Sequence, residues 1–259
     1  MKTLKIIIDG KEISARPDQT ILDLARENGI FIPTLCYSPA LDATAMCRLC
    51  MVEMYEGHRK RNVTACNFPL RRDVEIKTDT EALRQGRKIL IELLMARCPD
   101  SEELQRLAVE YGCDLKRFSG LNEDCVLCGL CARVCEKVGG KTLTLSGRGV
   151  DIHINTAFGE SSRSCIACGA CVQICPIKAI AVEDIDGERI LKIHGREAAR
   201  VTLNRCEVCN AYYGPVIDLK EVMERVGDGD IAAPHANICP NCARRKLAKR
   251  IADRYYDVI

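Results

Sequence analysis

Apolar and polar residues alternate from the start of the chain. Leu4, Ile6 and Ile8 fall on one side of a strand, Asp9-Gly10 suits a two-residue turn, and Lys11 to Ala15 returns. Thr20 stands at an N-cap position ahead of ILDLARENG, with Gly29 as the left-handed stop of that helix. Alternation resumes over Met51–Tyr55 and 61–65, predicting a hairpin that turns at Glu56-Gly57, and again over 74–78 as the last strand of a small sheet. The period then lengthens. Residues 79–97 predict an amphipathic helix with Leu83, Ile89, Leu90, Leu93 and Leu94 on its buried side, and 101–111 predicts a second helix ending at Gly112. Short strands follow at 142–146 and 150–155 about Gly147-Arg148-Gly149, then at 179–183 and 189–194 about Asp186-Gly187. A helix is expected at 217–226, and ARRKLAKRIADRY reads as a basic helix whose charges form a solvated face or a subunit contact.

Cysteine changes this picture. There are 18 in 259 residues, and most fall in C-x2-C units, which favours metal ligation over disulfides. Cys125, Cys128, Cys131 and Cys135 form one C-x2-C-x2-C-x3-C run, and Cys165, Cys168, Cys171 and Cys175, followed by Pro176, form another. That run holds the cubane clusters of bacterial two-cluster ferredoxins. Three thiolates on one tight turn reach three irons of one cube, while the fourth, a helical turn on, points to the neighbouring cluster. The expected sets are therefore Cys125, Cys128, Cys131 and Cys175 on the first [4Fe-4S], and Cys165, Cys168, Cys171 and Cys135 on the second. Gly129 and Gly169 stand at matching places where the backbone passes close to a cluster. Zinc knuckles or a disulfide scaffold are the rival readings, but a zinc site draws two cysteines from each knuckle rather than four from one run.

Cys36, Cys47, Cys50 and Cys66 follow the first helix with spacing C-x10-C-x2-C-x15-C. Four thiolates, two of them in a tight turn, suit a [2Fe-2S] rhomb, although the first interval exceeds the C-x4-C of plant-type ferredoxins. A zinc site is the alternative, but it has no need of the hairpin and helix that lead in. The order hairpin, helix, Cys36, then Cys47-Arg48-Leu49-Cys50-Met51-Val52-Glu53, then Cys66 resembles the N-terminal ferredoxin domain of the large iron–sulfur subunit of respiratory complex I. The same module occurs in NAD-linked and electron-bifurcating hydrogenases and in NAD-dependent formate dehydrogenases. Ala45-Met46 stand where such domains often carry a glycine. The resemblance covers residues 1–78 and 121–183 well and the linking helices loosely. Many relatives carry a further cubane on one histidine and three cysteines in the linker. Here only Cys98 and Cys113 occur there, so that cluster is expected to be missing and both cysteines to act as small apolar residues.

The last cysteines, Cys206, Cys209, Cys239 and Cys242, make two separated C-x2-C knuckles of the kind that close one tetrahedral site. Cys239-Pro240-Asn241-Cys242 resembles the second knuckle of rubredoxin and zinc-ribbon modules. One structural zinc is expected, with a rubredoxin-type iron or a third [4Fe-4S] as alternatives. His153 reads as a strand-surface residue rather than a ligand.

The expected fold is α+β. A β-grasp [2Fe-2S] domain (1–78) is followed by a helical linker (79–120), a double-[4Fe-4S] domain (121–200) and a four-cysteine metal-binding module (201–259). The 38 basic against 36 acidic residues, net +2, give no polyelectrolyte signal for nucleic acid, and the absence of Trp argues against base-stacking platforms. The start, MKTLKIIIDG, is not a signal peptide, and no stretch nears the ~18 apolar residues of a membrane span. Clusters assembled on reduced thiols imply the cytoplasm. No G-x-G-x-x-G follows a strand and no segment reads as a flavin or molybdopterin domain, so no catalytic site is expected. Three redox clusters without a substrate site make an electron wire. The resemblance implies a hetero-oligomeric complex in which a flavin- and NAD-binding iron–sulfur partner docks near the [2Fe-2S] domain and a catalytic partner at the cubane end. A hydrogenase comes first as that partner, formate dehydrogenase second, another bifurcating reductase third. A zinc-rich structural adaptor and a freestanding electron carrier are the readings from other classes.

Overall fold

Strands β1 (Leu4–Ile8) and β2 (Lys11–Ala15) pair antiparallel across Asp9-Gly10, whose φ angles of 50° and 83° are those of a type I′ turn. The computed structural model describes residues 3–118, 120, 123–156, 162, 165–216 and 237–256. Strands β3 (Met51–Glu56), β4 (Arg59–Thr64) and β5 (Val74–Lys77) complete a five-stranded sheet in the order β2-β1-β5-β3-β4. β1 and β5 run parallel, which requires a crossover, and helix α1 (Ile21–Glu27) lies in it. Thr20 caps α1 by accepting from the Asp23 N–H at 3.1 Å. Ile21, Leu22, Leu24 and Ala25 of α1 pack with Ile6, Ile8, Val52, Met54 and Ile76 of the sheet in one core. Each Ile, Leu, Val or Met among them contributes about 1.5–3 kcal/mol when fully buried. The β3–β4 turn falls at Gly57-His58 rather than the expected Glu56-Gly57, because Glu56 pairs with Arg59 and Gly57, at φ 60°, takes the first central position of a tight turn.

Helix α2 (Glu81–Arg97) is capped by Thr80 and helix α3 (Glu102–Glu110) by Ser101. The buried side of α2 is only partly the expected one: Leu83 is buried and Leu90 and Leu94 pack half-buried on the core, but two of the five residues face out. Ile89 and Leu93 are 37% and 47% exposed, while Leu83, Arg87, Ile91, Glu92 and Met95 face inward. Apolar residues surround the KILIELLMA stretch, so periodicity does not select a side. The choice follows from two polar residues with buried partners. Arg87 bonds to backbone carbonyls of the sheet domain, and Glu92 accepts from the Asp114 N–H at 2.8 Å and from Arg117 at 3.4 Å.

Helix α4 (Leu130–Lys137) precedes the hairpin of β6 (Leu143–Ser146) and β7 (His153–Thr156). Val150, expected in the second strand, sits instead in a single 3-10 turn, Gly149–Asp151. That turn folds back on Gly147, where a Cβ would stand 2.3 Å from the Asp151 carbonyl oxygen. After helix α5 (Ala170–Ile174), strands β8 (Ile180–Ile185), β9 (Glu188–Ile193), β10 (Arg196–Arg205) and β11 (Tyr212–Pro215) form an antiparallel sheet in the order β11-β10-β9-β8. β8 and β9 are the expected hairpin. β10 and β11 extend it and carry the chain across position 200 to Cys206. Helix α6 (Pro240–Tyr256) follows Cys239, and the helix expected at 217–226 lies outside the described residues. Among the described residues no helix is long and apolar enough to cross a membrane.

Candidate metal centres

Cys36 lies in the loop after α1, Cys47 and Cys50 flank the turn that enters β3, and Cys66 follows β4. The left-handed φ of Ala45 (53°) and Arg48 (59°) curls this loop, at a cost of order 1–3 kcal/mol for each such non-glycine residue. The Cys47 N–H donates to Cys36 Sγ at 3.3 Å, and the Leu35 N–H to Cys47 Sγ at 3.5 Å. The four thiols divide two and two. A hydrogen bond from Cys36 draws the Cys47 thiol down to about 6 and drives Cys36 up, and one from Cys66 draws Cys50 down to about 7 and drives Cys66 up. Two hydrogen-bonded sulfur pairs, largely buried, supply the four sulfurs that a [2Fe-2S] rhomb takes as thiolates.

The two later runs repeat one backbone path. Leu127 and Ala167 have φ of 54° and 43°, and Gly129 and Gly169, at 69° and 76°, start α4 and α5. Leu127 and Ala167 donate N–H to Cys125 and Cys165 Sγ at 3.3 and 3.4 Å; Thr142 and Ala179 donate to Cys135 and Cys175 Sγ, both at 3.3 Å. The glycines are needed for their positive φ. At Gly129 a second reason applies, since a Cβ there would come within 3.0 Å of Met46 Sδ from the Cys47 loop. One cavity is lined by Cys125, Cys128, Cys131 and Cys175, the other by Cys135, Cys165, Cys168 and Cys171. Burial pushes Cys128 up to about 11 and Cys171 to about 12, so thiolates in these cavities need a cation beside them. Such walls fit an iron–sulfur cube.

Three arginines bind the loops that carry these cysteines, and the periodicity of the sequence passed over all three. Arg87 of α2 donates to the carbonyls of Leu49 (3.1 Å), Met51 (2.9 Å) and Thr78 (2.7 Å), bracketing Cys50. Arg97 donates to the Cys125 carbonyl at 2.7 Å and pairs with Glu123. Arg133 of α4 donates to the carbonyls of Cys36 at 2.7 Å and Asp42 at 2.6 Å. A usable signal existed for Arg87, a charge in the i, i+4 stripe Leu83, Arg87, Ile91, Met95. Cys98 is buried, its thiol raised to about 12 by burial, and the half-buried Cys113 donates to the Lys88 carbonyl at 3.6 Å. His153 is exposed and its Nδ1 lies 2.7 Å from the Asp151 carbonyl.

The last four cysteines form a tighter set. Their Sγ atoms, from Cys206, Cys209, Cys239 and Cys242, all lie within 4.8 Å of one another, the one such group of possible metal ligands among the described residues. Cys209 and Cys239 Sγ stand 3.8 Å apart. A tetrahedron with metal–sulfur bonds of ~2.3 Å has edges of ~3.8 Å. The β10–β11 turn supplies the first knuckle and the start of α6 the second. The Cys239 N–H donates to Cys206 Sγ at 3.3 Å and leads in drawing that thiol down to about 6.

An N-terminal ferredoxin sheet, two ferredoxin-type cysteine runs and a closed four-cysteine site define an iron–sulfur protein. Residues 1–81 match the 2Fe-2S iron-sulfur cluster binding domain family, and residues 162–181 match the 4Fe-4S binding domain. The NADPH-Fe(3+) oxidoreductase subunit alpha of Geobacter sulfurreducens is 33% identical over 182 residues, covering 60% of this chain and 21% of that protein. The NADH-ubiquinone oxidoreductase 75 kDa subunit of Reclinomonas americana is 28% identical over 179 residues, 59% of this chain and 26% of that one. This chain thus spans about a quarter or less of the length of these relatives. A crystal structure of an NAD+-reducing [NiFe]-hydrogenase in the H2-reduced state matches 59% of this chain and 74% of its own, with a TM-score of 0.53 and 28% identity. The chain thus carries matches to 2Fe-2S and 4Fe-4S binding domains and is similar to subunits of an NADPH-Fe(3+) oxidoreductase and of NADH-ubiquinone oxidoreductase and to a chain of an NAD+-reducing hydrogenase.

Proposed function

We propose that this chain is the electron relay of an NAD(H)-linked hydrogenase complex. It would pass single electrons between a flavin- and NAD-binding subunit near the [2Fe-2S] domain and a catalytic subunit at the cubane end. The observation that carries the reading is one buried core shared by Cys36, Leu49, Val126, Cys128 and Leu130, so that a ligand of the first site and a ligand of the first cube belong to the same apolar cluster. The ligand sets are Cys36, Cys47, Cys50 and Cys66 for one [2Fe-2S]; Cys125, Cys128, Cys131 and Cys175 for the first [4Fe-4S]; and Cys165, Cys168, Cys171 and Cys135 for the second. When bound, these clusters supply one-electron chemistry; the protein sets their spacing and potentials through burial and hydrogen bonds to sulfur. The division proposed is 1–78, 79–120, 121–200 and 201–259, with no cluster expected in the linker, although β10 (Arg196–Arg205) runs across the last of these boundaries. Ligand thiols must stay reduced, which fits the cytoplasm. Bifurcation would depend on a flavin in another chain.

The complex, isolated anaerobically through this subunit, should lose visible cluster absorption under hydrogen and recover it with NAD+. Bleaching by formate and not by hydrogen would move the assignment to a formate dehydrogenase. Bleaching by neither would remove both.

Cys206, Cys209, Cys239 and Cys242 would hold one zinc, supported by the 3.8 Å sulfur–sulfur edge. Metal analysis of anaerobic protein should give about one zinc and about ten irons per chain, counting two, four and four by cluster type. About eleven irons without zinc would indicate a rubredoxin-type iron, and about fourteen a third cube.

A further inference from the structure

Arg87 and Arg97 each have a carboxylate beside them, Asp79 at 3.5 Å from Arg87 and Glu123 in contact with Arg97. Arg133 has none among the described residues. Its two terminal nitrogens are used on the carbonyls of Cys36 and Asp42, and its Nε is buried without a hydrogen-bond partner. It projects from α4, between Cys131 and Cys135, onto the loop that carries Cys36 and Cys47. One guanidinium therefore touches the backbone of the [2Fe-2S] ligand loop and stands on the helix that carries Cys131 of the first cube.

We propose that Arg133 is a positioning residue joining these two centres. It fixes the approach of the Cys36 loop to α4 and holds an uncompensated positive charge between them that raises the reduction potential of both. The inference rests on the cluster reading above and says what one side chain does within it. Two physical steps lead to it. Arg presents a rigid planar fork, so two carbonyls on one loop fix both the distance and the orientation of that loop relative to α4, which a single-point lysine cannot do. A fixed cation half-buried at the edge of a core favours the more negative, reduced state of a neighbouring cluster. The orphan Nε–H sharpens the point. A buried donor without an acceptor is costly, and cluster sulfur is the acceptor chemistry these two sites would bring into that core.

The test uses the full chain, loaded anaerobically, with potentials followed by EPR during redox titration. Arg133→Gln should lower the potentials of the [2Fe-2S] and first cube, making each about tenfold harder to reduce, which is ~59 mV for a one-electron couple. The second cube, walled by Cys135, Cys165, Cys168 and Cys171, should shift by less than half as much. Arg133→Lys should keep both potentials within about threefold of the parent, ~28 mV, while weakening the magnetic coupling between the two reduced centres. Unchanged potentials in a fully loaded Arg133→Gln chain overturn the charge role. If that variant fails to load, unchanged coupling in Arg133→Lys overturns the positioning role. A parent chain that shows no [2Fe-2S] and cubane signals would instead overturn the cluster reading, and the inference with it.

Discussion

Cys128→Ala combined with Cys175→Ala is expected to cost about four irons per chain, whereas Cys168→Ala combined with Cys175→Ala costs about eight. The first pair would strike one cube twice, and the second would strike each cube once. Cys175 belongs by sequence to the second run, yet its side chain walls the cavity of Cys125, Cys128 and Cys131, and Cys135 crosses over in the same way. The local geometry explains the crossing. Each run spends three cysteines on a turn that ends in a left-handed glycine, and the short helix that follows carries the fourth away from that turn. α4 and α5 pack side by side, so each delivers its last cysteine to the other's turn. Iron analysis of the two double variants decides the matter. Four irons lost from the Cys168 and Cys175 pair, with eight from the Cys128 and Cys175 pair, would mean that each run keeps its own cube.

The second large effect is expected at Arg87. Arg87→Met leaves a side chain of similar length in the same buried groove, but the carbonyls of Leu49, Met51 and Thr78 lose their donor. Each buried group left unsatisfied costs about 1–3 kcal/mol, so the total is at least ~3 kcal/mol. At about 4–8 °C per kcal/mol for a domain of this size, the unfolding midpoint of the [2Fe-2S] domain should fall by about 12–24 °C. Two of the three carbonyls flank Cys50, so the [2Fe-2S] signal should be lost at lower temperature than the cubane signals. Arg87→Lys, which keeps the charge but not the fork, should fall between the two. A midpoint within a degree of the parent for Arg87→Met would show that solvent or neighbouring donors replace the arginine.

How much of this was legible in the sequence depends on the range of the interaction. Turns and caps are local, and Asp9-Gly10, Thr20, Ser101 and Asp186-Gly187 stand in the roles their neighbours imply. Cysteine spacing is also local chemistry, so the membership of each site could be written down before any fold. The side of α2 that turns inward could not. Ile89 and Leu93 are as apolar as Ile91, and the outcome rests on carbonyls 36–38 residues back in the chain that only Arg87 can reach. The extension of the β8–β9 hairpin into β10 and β11 was missed for a related reason. REAARVTLNR alternates poorly, and its irregular pairing with β9, shifted between Glu197 and Ala199, blurs the period. Arg133 gave no pattern signal at all, because its partners are backbone atoms and backbone atoms leave no trace in a sequence.

The crossed cysteines also set an order of events during synthesis. When Cys131 leaves the ribosome, the first cavity has three of its four walls and must wait for Cys175, about 45 residues later. At ~5–20 residues per second, that is a gap of about 2–9 s in which three thiols face the cell with no iron held between four ligands. The second cavity has the opposite history, with Cys135 made first and its three companions last. A nascent or truncated chain ending before Cys171 therefore completes neither. On the proposed ligand sets the two cubes would mature as one unit, loaded after the whole ferredoxin portion has emerged, while the five-stranded domain, closed by β5 at residue 77, would be ready to take its own iron far earlier.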